Sequence, residues 1–388
     1  MFQESDVNDA VDDALDGLSH QIENELSIVV GGKVSSGKSS FLNALFSCPQ
    51  HEPKFHVGAE AGVTTKPKAI ELSPQVTVWD TPGLNDLDAV NVEITLDFLK
   101  KGHDLAILVL SGAADTAQKE NFDVLKRNTD NNIIIILNKV DGISKADVLL
   151  LKSQWKESLA LDANEEIYCC VSLGYGENDR IVCPFSGEET EVPVDDFGMP
   201  RTVQGVDEAR KAVLKKLEKI DKDLLFLKSQ QSKKKAAIVT ISSACVTSAG
   251  FAFIPGSGVT ITATQIGAIC RLHYIYKEEL ISKSQVVAIL PAYAMQAVGR
   301  NLFLWAKSIL PPTGVVDAVA AGIAVSLTAS MLVTINYILK NDSNLTDKVE
   351  TKINYKKFSA ELSGKVKNAS LGDWINPSYW ASMISKLV

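Results

Sequence analysis

The most constraining stretch of the sequence is a glycine-rich segment with the order Gly32-Lys33-Val34-Ser35-Ser36-Gly37-Lys38-Ser39. An apolar run of strand length, residues 26–30, precedes it, and residues 39–46 carry apolar side chains at helical spacing. A strand, a glycine turn and a helix N-terminus bring backbone N–H groups and the positive end of the helix dipole onto an anion. The segment, extended to Ser40, is therefore predicted to bind a phosphate chain. Lys38 is expected to reach the outer phosphates, and the Ser39 hydroxyl is expected to ligate Mg²⁺.

A second motif, Asp80-Thr81-Pro82-Gly83, follows the strand-like residues 76–79. An aspartate at the carboxyl end of a buried strand suits a magnesium site, and the N–H of Gly83 can face a terminal phosphate. The spacing D-x-x-G is common in turns, so the motif has weight only because a phosphate loop precedes it.

The base-recognition signal comes after two uninterrupted apolar runs, residues 105–110 and 133–137, which are typical of central parallel strands. The second run ends in Asn138-Lys139-Val140-Asp141. The Asp141 carboxylate can accept from both N1–H and the exocyclic amine of guanine, and adenine offers no such donor pair. Asn138 is expected either to meet the Hoogsteen edge of the base or to tie loops together, while the Lys139 stem lies along the ring. After the strand-like residues 167–171, the backbone of Ser172 and Leu173 is expected to contact guanine O6.

These four motifs, in this order over residues 26–173, resemble the translation-factor-related GTPases, namely the Era-like, dynamin-like and immunity-related groups. Residues 37–43 and 79–84 are especially similar to the last two groups. The resemblance implies an α/β fold, a P-loop GTPase domain with a mostly parallel central sheet, and hydrolysis of GTP to GDP and phosphate. It implies a catalytic set of Lys38, Thr65 and Gly83, and a Mg²⁺ site of Ser39, Thr65 and Asp80, with Thr64 as the alternative to Thr65.

Two departures from the family pattern bear on the mechanism. Leu84 stands where Ras-like enzymes carry a water-orienting glutamine, so turnover is expected to be slow without dimerisation or a partner. Ser35 stands where dynamin-like proteins place a serine that helps to hold a charge-compensating monovalent cation, whereas Era-like potassium-dependent enzymes use asparagine there; a plain turn residue is the alternative. Three arginines are candidates for an arginine finger, with none favoured: Arg127, Arg180 and Arg201.

The rest of the chain is predicted to be helical and partly hydrophobic. The expected segments are an amphipathic helix in residues 1–25, the GTPase domain in 26–230, a hydrophobic helical domain in 231–345 and a helical tail in 346–388. Within the GTPase domain, residues 174–205 are expected to form an inserted loop with a hairpin, and residues 206–227 one long helix. The N-terminal helix is expected to pack either on the nucleotide domain or on the C-terminal helices.

Membrane contact is the main open question of the second half. Residues 236–255 and 314–339 are each apolar and long enough to span a bilayer, or to pack as a buried helical hairpin. Residues 236–341 resemble the hydrophobic helical domain of unknown function that bacteria fuse to Era-like GTPase domains. Near the end, Trp374 and Trp380 are expected either to anchor at a membrane interface or to belong to a docked helix.

Composition limits the partners. The net charge of −8 argues against a general nucleic-acid binder, and the irregular cysteines with an acidic N-terminus favour a cytoplasmic setting, including the cytoplasmic face of a membrane. The expected partners are GTP and GDP, membrane lipid and a second copy joined through the GTPase face. A soluble Era-like GTPase acting on ribonucleoprotein and a GTP-sensing module with negligible turnover are the alternatives.

Overall fold

The computed structural model describes residues 4–57, 67–81, 95–162, 165–175, 180–182, 189–252, 254, 258–296, 315–367 and 369–388. The chain divides into two compact units. One unit is Asn24–Ser232, called the α/β unit below, and the other combines Met1–Glu23 with Lys233–Val388 and is called the helical unit.

The helices and strands are numbered in chain order. The strands are β1 (Leu26–Gly31), β2 (Lys68–Ser73), β3 (Val76–Asp80), β4 (Leu105–Ser111), β5 (Ile133–Asn138), β6 (Ile167–Cys169), β7 (Arg180–Val182) and β8 (Glu189–Glu191). The helices of the α/β unit are α2 (Lys38–Leu45), α3 (Thr116–Arg127), α4 (Lys145–Leu159), α5 (Val206–Glu218) and α6 (Asp223–Lys228). Those of the helical unit are α1 (Glu4–Glu23), α7 (Lys233–Ala252), α8 (Gly258–Lys277), α9 (Lys283–Gln296), α10 (Val315–Lys340), α11 (Lys348–Lys367), α12 (Leu371–Trp374) and α13 (Pro377–Ile384).

The α/β unit is built on a six-stranded sheet with the order β2-β3-β1-β4-β5-β6. Only β2 runs antiparallel to its neighbour, and the remaining pairs are parallel. Every residue of β5 is buried because helices cover both faces of the sheet. One face packs on the helices that contribute Phe41, Val213 and Phe226, and the other on those that contribute Phe122 and Trp155. The predicted α/β fold with a mostly parallel sheet is confirmed.

The prediction of one long helix over residues 206–227 is wrong. Helix α5 ends at Glu218 and α6 begins at Asp223. Between them Asp221 has a φ of +53°, in the left-handed region, and a right-handed helix cannot continue through it. The neighbouring Lys222 forms an ion pair of 2.6 Å with Asp104, just before β4, which anchors this turn to the amino end of a central strand.

The inserted segment contains a hairpin, as expected. Strands β7 and β8 pair antiparallel in a small sheet of their own. The second strand of the pair spans Glu189–Glu191, and Val194 lies outside it. Val194 instead pairs with Pro200 in an isolated bridge, so the chain folds back on itself a second time before α5 begins.

The helical unit has α10 near its centre. Helix α10 packs against α7, α8 and α11, and α1 packs against α8 and α9. The N-terminal stripe therefore covers the C-terminal helices, with Val11 and Leu18 buried. Over residues 324–340 every side chain of α10 is buried except those of Tyr337 and Lys340.

The structure bears on two alternatives that the sequence left open, namely the role of the apolar helices and the placement of the C-terminal tryptophans. Among the described residues, α7 is the one helix long and apolar enough to cross a bilayer, and 61% of its apolar window is buried inside the unit. Length and composition alone do not separate a membrane span from a core helix. Near the C-terminus Trp380 is fully buried and its Nε1 donates to the Trp374 carbonyl at 2.8 Å, as in a docked helix.

Candidate nucleotide site

The phosphate loop joins β1 to α2 at the carboxyl edge of the sheet, and two of its positions require glycine. Gly32 has a φ of +142°, and a Cβ there would lie 2.2 Å from the Val109 carbonyl oxygen. Gly37 has a φ of +87°, and a Cβ there would lie 2.4 Å from Asn138 Nδ2. Gly37 also caps α2 without a side-chain hydrogen bond, and no acidic residue lies in the first turn, so the N-terminus of α2 is suited to bind an anion.

The side chains of the phosphate loop divide between solvent and interior. Lys33, Val34 and Ser35 are exposed, whereas Ser36 is buried. Lys33 lies 3.7 Å from Asp115, the residue that caps α3. Ser35 has a positive φ of +61°, which makes it a turn residue whatever else it binds.

Lys38 lies across the loop. Its Nζ donates to the Gly32 carbonyl at 3.0 Å and to the Lys33 carbonyl at 3.3 Å. An ammonium group held by the rim of an anion cradle can transfer to phosphate oxygens with a small movement of its flexible stem. Ser39 and Ser40 follow in the first turn of α2 and are half-buried.

Asp80 has the surroundings expected of a cation ligand. It is the last residue of β3, and burial raises the pKa of its carboxyl, an effect that the Lys38 charge partly opposes. Its Oδ1 is buried and has no hydrogen-bond partner among the described residues. Because an unpaired buried carboxylate oxygen is costly, Asp80 fits a divalent cation, to which Ser39 at the start of α2 can add a hydroxyl.

Of the predicted catalytic set, Thr65 with its alternative Thr64 and Gly83 lie outside the described residues, as does Leu84.

Asn138 joins the phosphate loop to the base-binding loops. It is the last residue of β5 and only 1% exposed. Its Nδ2 donates to the carbonyls of Ser36 at 3.1 Å and Gly37 at 3.4 Å, and its Oδ1 accepts from Ser172 Oγ at 3.0 Å. Of the two roles that the sequence left open for Asn138, the structure shows the tie between loops.

The residues predicted to read the base surround this tie. Lys139 is exposed with a φ of +61°, and its Cε lies 3.7 Å from a Cβ built on Gly37, so its stem runs beside the phosphate loop. Asp141 is exposed at the turn that Gly142 completes. Ser172 is buried and Leu173 is half-exposed. The Lys139 stem and the backbone at Ser172 thus adjoin the phosphate loop, and Asp141 follows Lys139 by two residues.

Three buried polar residues support the site and were not singled out from the sequence. Thr81 donates through both its N–H and its Oγ1 to the Val30 carbonyl, at 3.0 and 2.9 Å, which fixes the chain beyond Asp80 to β1. Asn43 in α2 accepts from the N–H groups of Lys54 and Phe55 at 2.9 and 3.0 Å and donates to the Phe55 carbonyl at 2.7 Å.

Arg210 is the third of these residues. It is 4% exposed, and it donates through Nε to the Leu45 carbonyl at 2.9 Å and through Nη2 to the Ala44 carbonyl at 2.6 Å. A cation at the carboxyl end of α2 complements the helix dipole and holds the helix whose other end carries the phosphate loop. The signal was an arginine at a position of the apolar stripe of α5, between Val206 and Val213.

Comparison with known proteins agrees with this geometry. The family described as "50S ribosome-binding GTPase" matches residues 27–139. The tRNA modification GTPase MnmE of Ruthia magnifica subsp. Calyptogena magnifica is 31% identical over 128 residues, which are 31% of this chain and 27% of that protein. GTPase Der of Rickettsia rickettsii (strain Sheila Smith) is 27% identical over 134 residues, 31% of this chain and 29% of that protein.

The likeness to these relatives is partial. The chain spans between about a quarter and a half of the length of the curated relatives it matches. Among solved structures, the LeoA bacterial dynamin GTPase from ETEC covers 100% of this chain and 95% of its own, at 12% identity and a TM-score of 0.33. A probable GTP-binding protein, engB, covers 38% of this chain and 89% of its own, at 20% identity and a TM-score of 0.28.

Proposed function

Because the α/β unit is a P-loop GTPase domain, a domain of GTP-hydrolysing enzymes, we propose that this chain hydrolyses GTP to GDP and phosphate in the cytoplasm and couples its nucleotide state to self-assembly or to membrane association. The observation that carries the proposal is the hydrogen-bonded tie through Asn138. It connects the phosphate loop to Ser172, so that the two ends of one guanine nucleotide meet loops that hold each other in place.

Each residue of the site has a role in this proposal. The N–H groups of residues 33–38 and the Lys38 ammonium bind the phosphates, and Asp141, the Lys139 stem and the backbone at Ser172 and Leu173 bind the guanine. Ser39, Thr65 and Asp80 hold Mg²⁺, which when bound neutralises charge on the phosphate oxygens. The N–H of Gly83 contacts the terminal phosphate, and Thr65 orients the attacking water.

In this proposal, self-assembly supplies the water-orienting group that Leu84 cannot provide. A leucine side chain cannot orient water, so the isolated chain turns over slowly, and a second copy that meets the GTPase face completes the site. Phosphate release at saturating Mg²⁺ and GTP tests this over a hundredfold range of protein concentration. The rate per chain rises with concentration. A constant rate contradicts self-assembly, and phosphate release that never exceeds the buffer blank favours the GTP-sensing module.

The same assay tests a monovalent cation at Ser35. We propose that K⁺ binds beside this exposed turn and compensates phosphate charge. Replacing K⁺ by choline at constant ionic strength lowers the rate at a given protein concentration, and Ser35→Ala reduces this difference. Equal rates in both salts contradict a cation site.

The proposed membrane contact lies on α11 rather than on the apolar helices. Val349 and Ile353, one turn apart on α11, are 69% and 63% exposed. The helix carries six lysines and two glutamates, although the whole chain has a net charge of −8. Lys352 and Lys356 flank the two apolar side chains on the same exposed face. Exposed apolar side chains among lysines suit the interface of an anionic membrane, where each lysine contributes about 1 kcal/mol.

Flotation with vesicles tests this contact. The full chain is mixed with neutral vesicles or with vesicles rich in phosphatidylserine, in GDP, GTP and a non-hydrolysable GTP analogue. It floats with the anionic vesicles in one nucleotide state, and Lys352→Glu/Lys356→Glu abolishes flotation. The matched control, Lys215→Glu/Lys219→Glu on and just after α5, reverses two exposed charges at the same spacing and leaves flotation unchanged. Equal flotation of both double variants contradicts the assignment to α11.

The second candidate is a GTPase that acts on ribonucleoprotein. The observation in its favour is the similarity, reported above, to a family described as ribosome-binding and to a tRNA modification GTPase. Both matches fall within the GTPase domain. The acidic net charge opposes it because RNA affinity depends on basic surface. Retention of labelled tRNA or ribosomal particles at physiological salt, in a GTP-dependent way, would favour this candidate over the first.

A further inference from the structure

The inserted residues pack directly on the loop expected to read guanine O6. That loop, residues 171–175, is called the base loop here, and residues 200–204, which follow the hairpin, are called the return segment. Val171 of the base loop donates to the Gln204 carbonyl at 2.9 Å, and the Gln204 N–H donates back to the Val171 carbonyl at 2.9 Å. The return segment is therefore paired with the base loop as a short antiparallel bridge.

A side-chain contact lies inside this bridge. Thr202 Oγ1 donates to the Leu173 carbonyl at 2.5 Å. Next to it Gly174 is buried with a φ of +109°, and a Cβ there would lie 2.6 Å from Pro200 Cβ and 3.0 Å from Thr202 Oγ1. The base loop and the return segment thus touch at a position where only glycine fits.

The return segment is itself held by the rest of the α/β unit. Asp195 Oδ1 accepts from the N–H groups of Phe197 and Met199 at 2.9 and 3.0 Å, which closes the turn before the return segment. Gln50 donates from its backbone to the Gly198 carbonyl at 2.8 Å and from Nε2 to the Gly174 carbonyl at 3.0 Å. Met199 is buried in the core of the unit. The contact at Thr202 therefore comes from a fixed partner.

Fixing the Leu173 carbonyl has a direct consequence for hydrogen-bond donors. In a trans peptide the C=O and the following N–H point to opposite sides, so a carbonyl held by Thr202 turns the Gly174 N–H away from the return segment. The Leu173 N–H follows two residues that are themselves fixed, because Val171 is paired with Gln204 and the Ser172 hydroxyl donates to Asn138 Oδ1. Both donors are then oriented before a ligand arrives, which lowers the entropic cost of binding.

We propose that the insertion positions the base loop for guanine, with Thr202 as the positioning residue and the N–H groups of Leu173 and Gly174 as the donors to O6. This deepens the proposed binding of GTP and rests on it. The same N–H groups of Leu173 and Gly174 disfavour adenine, because the amine at the corresponding position of adenine is itself a donor and cannot accept a hydrogen bond from them.

The test combines a variant of Thr202 with a nucleotide in which sulfur replaces the O6 oxygen of guanine. Affinities for GTP and for 6-thioguanosine triphosphate are measured by calorimetry with Mg²⁺ on the full chain. Wild type prefers GTP because sulfur accepts a hydrogen bond less well than oxygen. Thr202→Val, which keeps the shape and removes the hydroxyl, lowers GTP affinity about 3- to 10-fold and lowers the affinity of the thio analogue less. The preference for GTP therefore shrinks.

Matched variants separate positioning from general damage. Thr129→Val removes another bond from a threonine hydroxyl to a carbonyl, Thr129 Oγ1 to Leu125 at 2.9 Å, at the other end of the sheet, and leaves the preference intact. Thr202→Ser keeps the hydroxyl and is expected to keep the preference. If the valine variant does not fold, Thr202→Ala removes the same hydroxyl and is expected to reduce the preference. Equal losses for both nucleotides in Thr202→Val, or no loss, overturn the inference. Wild type that binds neither nucleotide overturns the proposed function instead.

Discussion

Substitution of Asn138 gives a quantitative test of the tie between the phosphate loop and the base loop. The change Asn138→Ala removes two donated bonds, to the Ser36 and Gly37 carbonyls, and one accepted bond, from Ser172 Oγ. The position is 1% exposed, so water cannot replace the amide without rearrangement. The loops then lose their fixed spacing in the state that binds nucleotide.

The magnitude follows from these contacts. Each neutral hydrogen bond contributes about 1 kcal/mol, and the longer bond to Gly37 contributes less. A Ser172 hydroxyl and a Ser36 carbonyl left without partners add to the cost, giving about 2–4 kcal/mol in all. If this cost falls on the binding-competent state, affinity drops by about 30- to 1000-fold. GTP and GDP lose affinity by the same factor because no bond of Asn138 is directed at the terminal phosphate.

A double-mutant cycle with Ser172→Ala isolates the tie. Ser172→Ala alone weakens both nucleotides by about 2- to 10-fold, the effect of one hydrogen bond. In the Asn138→Ala background it causes no further loss and recovers a small part of the affinity, because the Ser172 hydroxyl has already lost its partner and its removal eliminates an unsatisfied buried group.

Calorimetric titration of the full chain with Mg²⁺-GTP and Mg²⁺-GDP measures all four corners of the cycle. The control is Asn128→Ala, which removes an amide bond of 2.7 Å to the Val124 carbonyl at the end of α3 and leaves affinity unchanged. Additive losses, or a loss confined to GTP, would refute the reasoning.

Three further predictions concern stability and are checked by thermal unfolding. Asp80→Asn raises the Tm of the nucleotide-free protein in EDTA at pH 7. Burial raises the pKa of the folded carboxyl above its ordinary 3.8, so the wild type loses stability as pH rises through the raised value. An unchanged Tm contradicts a destabilising role for the buried, unpaired oxygen. His103→Gln flattens the loss of stability on acidification. Burial lowers the pKa of this imidazole, which bonds Ser27 Oγ at 2.8 Å, so the wild-type fold loses stability as pH falls from the ordinary value of 6.5 through the lowered one; a wild-type slope in the variant contradicts this. Arg210→Met destabilises the fold by about 2–4 kcal/mol, since the carbonyls of Ala44 and Leu45 lose a charged donor. The control Arg127→Met, on the exposed end of α3, has little effect, and similar losses in both variants would contradict the role of Arg210.

The sequence predicts the strands and the phosphate loop well because both depend on local chemistry. Continuous apolar runs such as those of β4 and β5 are typical of strands in a sheet that is covered on both faces. Gly32 and Gly37 mark backbone conformations that other residues rarely adopt, so the loop is visible before any tertiary contact is known.

Features that depend on a distant partner were less accessible. The amide of Asn138 has the chemistry both to bind a base and to tie loops, and only the position of Ser36 decides between them. The contact of Thr202 with Leu173 likewise joins residues separated by a whole hairpin. The break at Asp221 interrupts an apolar stripe that continues on both sides of it, so periodicity alone gave one helix.

The apolar helices show a different limit. A membrane span and the central helix of a bundle have the same composition, because both are surrounded by apolar groups. The burial of residues 324–340 of α10, apart from Tyr337 and Lys340, comes from the helices packed around it, α7, α8 and α11, and cannot be seen in the sequence of α10 alone.

The most direct test of the central claim is the nucleotide preference of the wild type and of Asp141→Asn. Calorimetry with Mg²⁺ compares GTP, xanthosine triphosphate and ATP on the full chain. The wild type binds GTP and rejects the other two, and Asp141→Asn moves the preference to xanthosine triphosphate, because the amide donates where the carboxylate accepted. A wild type that binds ATP as tightly as GTP, or a variant with unchanged GTP affinity, would contradict a guanine held between the phosphate loop and Asp141.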